Sequence, residues 1–117
     1  MTVVTITLPF PVSLNNMFIN VRKGRIRSQR YDSWIQEAGT EIMRQRPSKC
    51  AGRVVLFFEF GEPDRRKRDV SNLIKPVEDL LVKHGIIEAD DSSIVRGVHA
   101  SWSEAVEGCR VTVEQVG

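Results

Sequence analysis

A proline stands inside the most regular helical pattern of this 117-residue chain. Val70, Leu73, Ile74, Val77, Leu80 and Leu81 recur at three- and four-residue intervals, the apolar stripe of a helix lying on a core, and Lys83, His84 and Gly85 form a basic last turn with a glycine stop. Pro76 interrupts the run. In a helix interior it costs about 3 kcal/mol, because it lacks an amide hydrogen and its ring crowds the preceding turn, whereas a first turn tolerates it. The pattern therefore predicts a helix that begins within a few residues of Asn72. Asp69 then lies at or just before the helix mouth, directly behind Arg65, Arg66, Lys67 and Arg68.

The rest of the chain can be read around that helix. Val3 to Leu8 is β-branched and apolar and ends at Pro9 and Pro11, a buried strand followed by a turn. Ser13 to Asn20 reads as a polar loop, and Asn20 to Arg27 as a short hairpin in which Gly24 supplies positive φ. From Ser28, a plausible N-cap, the positions Tyr31, Trp34, Ile35, Ala38, Ile42 and Met43 follow helical spacing up to a stop at Pro47. Arg53 to Phe60 is a strand apolar enough to be buried on both faces. Ile94 to Trp102 and Cys109 to Val116 are two further strands, and the short connection around Glu107 and Gly108 predicts that they pair antiparallel. The fold class expected is α+β, a small mixed or antiparallel sheet with two helices, with residues 1–117 forming one domain.

Charge placement says more than the total of +2. Between Val21 and Arg30 stand Arg22, Lys23, Arg25, Arg27 and Arg30 with no acid, while six acids from Glu88 onward face only Arg96 and Arg110. Such segregation suggests a polyanionic partner, although a solvated basic hairpin has the same composition. Cys50 and Cys109 lie far apart with no metal-ligand spacing, which argues against a zinc site and for reduced thiols in a cytoplasmic protein. The first residues have no basic segment before their apolar run and soon meet two prolines, so they read as a strand and not a signal peptide. No run approaches membrane-spanning length.

An aspartate at a helix mouth is most often a cap, and the segment alone favours that reading of Asp69. Two features shift the balance. Asp90 and Asp91 follow the helix at a distance that could return the chain toward its start, and Lys75 lies near the same end. Carboxylates gathered beside cations suit Mg²⁺-dependent phosphodiester hydrolysis, since Mg²⁺ prefers hard oxygen ligands and polarises phosphate. Asp-Asp-Ser-Ser also reads as an ordinary turn.

The run RRKRDVSNLIKPVEDLL, followed by ADDSSIV, resembles the RusA family of phage-type Holliday junction resolvases. Pro9, Pro11, Ser13 and Asn15 look like that family's proline, serine and asparagine signature, and the basic arm, first helix and closing strands come in the family's order. The resemblance implies a homodimeric, Mg²⁺-dependent endodeoxyribonuclease that binds four-way DNA junctions and places paired nicks in opposing strands during recombination and repair. It puts the first catalytic aspartate on Asp69, the later one on Asp91 with Asp90 beside it, the essential lysine on Lys75, and the asparagine after the motif on Asn72. One departure stands out. Where the family pattern reads Asp-Leu-Asp-Asn, this chain reads Asp69-Val70-Ser71-Asn72, and a neutral hydroxyl is a poorer Mg²⁺ ligand unless Asp90, Asp79 or Asp64 supplies the missing charge. The alternative is therefore a branched-DNA binding protein whose metal site is disabled by Ser71.

In the roles so implied, Asp69 and Asp91 coordinate metal and Asp90 is a further ligand or its supporting partner. Lys75 neutralises charge developing on the scissile phosphate or leaving oxygen. Ser71 and Asn72 read equally as supporting groups and as helix-start residues. Asp79 falls on the polar side of the helix, as suited to a salt bridge as to metal. Arg65, Arg66, Lys67 and Arg68 are expected to grip phosphates, with Arg22, Lys23, Arg25 and Arg27 adding contacts from the hairpin. Phe18, Tyr31, Trp34 and Trp102 raise base stacking as an idea, with Trp34 better suited to the core.

Overall fold

A computed structural model describes residues 2–117. Strand β1 (Val3–Leu8) turns Val4, Ile6 and Leu8 inward and Val3, Thr5 and Thr7 outward, as its alternation demands. A 3-10 turn over Leu14–Asn16 leads into a hairpin of β2 (Phe18–Val21) and β3 (Gly24–Arg27), longer than the sequence suggested and joined through Arg22 and Lys23. Gly24 holds φ at 131°, where a side chain would be strained.

Helix α1 (Gln29–Gln45) starts at Ser28, whose hydroxyl accepts the Tyr31 amide at 3.1 Å, and ends at Arg46 in the left-handed region. Tyr31, Trp34, Ala38 and Ile42 face the core, while Met43 is left in solvent. At the far end Gln45 hydrogen-bonds both the amide and the carbonyl of Thr7, so a side chain occupies the open edge of β1.

Strand β4 (Val54–Phe60) is buried on one face, through Val54, Leu56, Phe58 and Phe60, and half-buried on the other, where Val55, Phe57 and Glu59 lie. The expectation of burial on both faces is corrected because both helices pack on a single side of the sheet, leaving the other to a Phe57–His99 stack and a Glu59–Arg110 ion pair. After β4 come a second 3-10 turn (Val70–Leu73) and α2 (Ile74–Lys83), with Pro76 in the first turn and Gly85 at positive φ beyond the end.

The last two strands, β5 (Val95–Trp102) and β6 (Cys109–Gln115), do not pair with each other, contrary to the expectation. The sheet order is β1-β6-β4-β5, with β4 parallel to β5 and antiparallel to β6. The segment carrying α2 forms the crossover that a parallel β4–β5 pair requires. Residues 103–108 arch over the end of β4, with the Ser103 amide donating to Phe60 O and the Gly61 amide to Gly108 O, both at 2.9 Å. A six-residue link therefore serves as an arch and not a hairpin because β4, the most apolar strand, takes a partner on each edge. One cluster of buried apolar side chains joins the sheet to both helices. Cys50 and Cys109 are free thiols within it, and among the described residues no helix is long and apolar enough to cross a membrane.

Candidate active site

The link from β4 to α2 places Asp69 before the second 3-10 turn, where its carbonyl accepts the Asn72 amide at 3.1 Å. Its side chain makes no capping hydrogen bond, so its carboxylate is not spent on the helix start. Asp69 and Asn72 line a cleft of about 520 Å³ whose walls also carry Arg30, Lys67 and Arg68. A larger depression of about 710 Å³ is lined by Glu37, Glu41, Glu62 and Glu107 without any cation, and is unsuited to a polyanion.

Lys75, in the first turn of α2, joins two acids: its ammonium lies 2.7 Å from Asp90 Oδ2 and 3.0 Å from Asp79 Oδ1. Hydrogen bonding to Asp90 first, then to Asp79, holds its pKa well above the ordinary lysine range. Asp79, one turn further along α2, is thus a salt-bridge partner of Lys75, and Asp90 comes to the helix as its second. Asp91 points into its own turn. Its Oδ1 accepts the Ser93 amide at 2.8 Å and the Ser93 hydroxyl, and its carbonyl accepts the Ile94 and Val95 amides that start β5. Those two Ser93 bonds lower the Asp91 pKa, keeping the carboxylate ionised while Oδ2 has no partner among the described residues.

Among the described residues, no three acidic, imidazole or thiol groups are gathered closely enough to enclose a metal ion. Mg²⁺ does not need such a cage; it retains several waters and takes one or two carboxylates. The uncapped Asp69 carboxylate and the ionised Asp91 carboxylate are hard oxygen donors of that kind. Each is in its chemistry a suitable ligand for a hydrated Mg²⁺; Asp91 is not among the residues that line the Asp69 cleft. Ser71 is exposed beside Asp69 and brings no charge.

The basic run is not uniform. Arg68 forms a two-pronged pair with Asp64 at 2.7 and 2.9 Å, lies over the Phe10 ring, and leaves 20% of its side chain exposed. Arg66 pairs with the same acid through Nη2 at 3.2 Å while 77% exposed. The two guanidiniums and the Arg66 amide hold the Asp64 carboxyl far below the usual carboxylate range. Arg65 and Lys67 are exposed and form no ion pair among the described residues. The sequence offered Asp64 only as a spare charge for metal, and its pairing with Arg68 across a link that is not helical leaves no local spacing signal.

In the hairpin, Arg22, Lys23, Arg25 and Arg27 are all exposed, with Arg25 stacked 4.6 Å above Phe18 and Arg27 paired with Asp32 at 3.2 Å. Phe18 also meets Tyr31 edge-on, Tyr31 stacks on Trp34, and Trp102 stacks on Phe10. All four aromatics considered for base stacking are thus packed against the protein. Trp34 is in the core as expected, its indole donating to Pro9 O at 3.0 Å. His84 caps α2, and burial pulls its pKa down.

A family model described as Endodeoxyribonuclease RusA matches residues 9–114. A protein of Aquifex aeolicus (strain VF5) named Crossover junction endodeoxyribonuclease RusA is 28% identical over 83 residues, covering 69% of this chain and 66% of its own length. A protein of the same name from Shigella sonnei (strain Ss046) is 33% identical over 97 residues, covering 81% of this chain and 79% of its own length. The chain thus spans about two thirds of the Aquifex relative and more of the Shigella one.

Proposed function

This chain belongs to the RusA family of endodeoxyribonucleases, and from that premise we propose that it resolves four-way DNA junctions by Mg²⁺-dependent, paired symmetric nicking in recombination and repair. The observation that carries the reading is the uncapped Asp69 carboxylate in a cleft walled by Arg30, Lys67 and Arg68, at the family's acidic motif.

Each group has a role. Arg65 and Lys67 grip backbone phosphates, joined by Arg66 and Arg68 to the extent that phosphate displaces Asp64, and by Arg22, Lys23, Arg25 and Arg27 from the hairpin. Asp69 would hold the cation, with Asp91 as the second carboxylate. Magnesium held there supplies charge neutralisation and Lewis acidity at the scissile phosphate. Asp90 serves as the anchor of Lys75, and the ammonium faces the charge that builds on the phosphate or leaving oxygen. The Asn72 main-chain amide, donating to Asp69 O, holds the turn that follows Asp69, and Ser71 offers a neutral oxygen to water or phosphate. Two symmetric nicks need two sites related by a two-fold axis, so the working unit is a homodimer of one-domain protomers, each residues 1–117 with one site, acting in the cytosol.

A second reading has its own support. Ser71 puts a neutral hydroxyl where the family's motif carries an acid, which favours a branched-DNA binding protein that does not cut. Asp69→Asn tests the site: cleavage should vanish while junction binding persists, because the substitution removes an oxygen ligand and leaves the cations in place. Normal cutting by that variant would remove Asp69 from the site.

A further inference from the structure

The residues from Gly61 to Asp69 join β4 to the second 3-10 turn with neither helix nor strand of their own. Main-chain hydrogen bonds hold the two ends, the Gly61 amide donating to Gly108 O and the Asn72 amide to Asp69 O. Between them, from Glu62 to Arg68, no main-chain pair forms among the described residues. A segment with so few bonds of its own is ordinarily loose, yet this one delivers the candidate metal ligand Asp69.

One acid gathers the link. Asp64 Oδ1 accepts the Arg66 amide at 2.8 Å and Arg68 Nη1 at 2.7 Å, while Oδ2 accepts Arg68 Nη2 at 2.9 Å and Arg66 Nε at 3.2 Å. Arg68 Nη1 also donates to Arg66 O at 3.3 Å. The Arg68 guanidinium lies 5.5 Å from the centre of the Phe10 ring, which in turn stacks on Trp102 and meets Phe60 edge-on. Through one ring and one ion pair, the core is thereby tied to the residue directly before Asp69. Arg65 and Lys67, the alternate members of the same run, take no part in the tie.

The consequence falls on Asp69. Its side chain makes no capping bond, so the direction of its carboxylate follows its own main chain, held behind by the Asn72 amide and in front by Arg68. Arg66 is 77% exposed and loses little by turning to a phosphate, whereas Arg68, with 20% of its side chain exposed, would forfeit the two-pronged bond and the ring together. A planar guanidinium suits that post because it pairs in a fork and stacks on a ring at once. Resting on the nuclease reading above, we propose that Asp64 is a positioning residue: it locks Arg68 onto Phe10, and the lock sets the main chain from which Asp69 presents its carboxylate. Arg68 is then an anchor of the site, and the phosphate grip of the run lies with Arg65, Arg66 and Lys67.

The test uses the full chain and a synthetic four-way DNA junction, with affinity measured in EDTA, single-turnover cleavage in Mg²⁺ at saturating protein, and melting of each variant. Asp64→Asn, which keeps the size and loses the charge and the fork, should bind the junction a few-fold more tightly, because an acid beside the cations is gone. The same variant should cut about a hundredfold more slowly, the scale of loss when a catalytic group is displaced by about 1 Å. Tighter binding with slower cutting is a split that loss of folding does not produce, and melting should shift little for an ion pair this open to water. Arg68→Lys, cationic but unable to fork, should slow cleavage to a similar extent at nearly unchanged affinity, and the double variant should be no slower than the slower single. The inference is overturned if Asp64→Asn cuts at the wild-type rate, which would make the acid a mere counterweight to the cations, or if its rate and affinity fall together. It is overturned equally if Arg68→Lys loses affinity at an unchanged rate, which would make Arg68 a phosphate grip, or if the two losses multiply. A wild type that cuts no junction would overturn the nuclease reading and this role with it, whereas a cutting wild type matched by Asp64→Asn would sink the role alone.

Discussion

Replacing Lys75 with alanine separates a catalytic cation from a structural one. The ammonium makes two ion pairs, at 2.7 Å to Asp90 and 3.0 Å to Asp79, but its side chain is 47% exposed and each acid 36%. Pairs this open to water are worth about 0.2–1 kcal/mol each, so Lys75→Ala should cost on the order of 1 kcal/mol of stability and lower the melting temperature by about 4 °C. The loss should not vary across neutral pH. A lysine pKa raised by folding gives stability that is fully present below the unfolded value of about 10.4 and fades only as pH climbs through the folded value. Catalysis is a different matter. A donor that meets charge developing in the transition state is worth about 10²–10³ in rate, so single-turnover cleavage of a four-way junction should fall by that factor while binding in EDTA weakens only a few-fold. Melting, binding and cleavage measured on one preparation decide it. A large loss of affinity at an unchanged rate would make Lys75 a docking residue, and a rate loss no greater than the affinity loss would refute its part in the chemistry.

Three more outcomes can be checked. Ser71→Asp should lower the Mg²⁺ concentration for half-maximal cleavage by about tenfold, read from a metal titration, because it restores an acidic ligand beside Asp69. Gly108→Ala should destabilise the chain by about 2 kcal/mol or more in urea unfolding, since Gly108 holds φ at 77° and an added Cβ would stand 2.4 Å from Leu8 O. Both cysteines should resist a thiol reagent in the folded protein and react on unfolding: burial pushes the Cys109 thiol up to about 12 and raises that of Cys50.

Local pattern carried much of this structure. The alternation from Val3 to Leu8, the Ser28 cap with the amide of Tyr31, and the restriction that Pro76 puts on a helix start all act within a few residues and were legible as such. The pairing of β5 and β6 was not. Their six-residue connection is short enough for a hairpin, and nothing near it reports that β4 needs a partner on each edge; strand order is decided by the whole apolar surface, of which Val54, Leu56, Phe58 and Phe60 form the centre. Burial on both faces of β4 failed for the same reason, because helix placement on one side is a property of the assembled layers. At the candidate site, residue types and their order pointed to Asp69, Lys75 and the Asp90–Asp91 pair. What each acid touches depended on coordinates: Asp90 on Lys75, Asp91 on Ser93, and Asp64 drawing Arg66 and Arg68 together.

The most direct test of junction resolution is nicking of a synthetic four-way DNA junction by the wild-type protein in Mg²⁺, beside an EDTA control and a linear duplex of the same sequence. The result expected is a symmetric pair of nicks in opposing strands of the junction, absent from the duplex and from EDTA. Tight junction binding with no nick at any Mg²⁺ concentration would contradict it, and would leave a branched-DNA binding protein in which Ser71 has cost the site its metal.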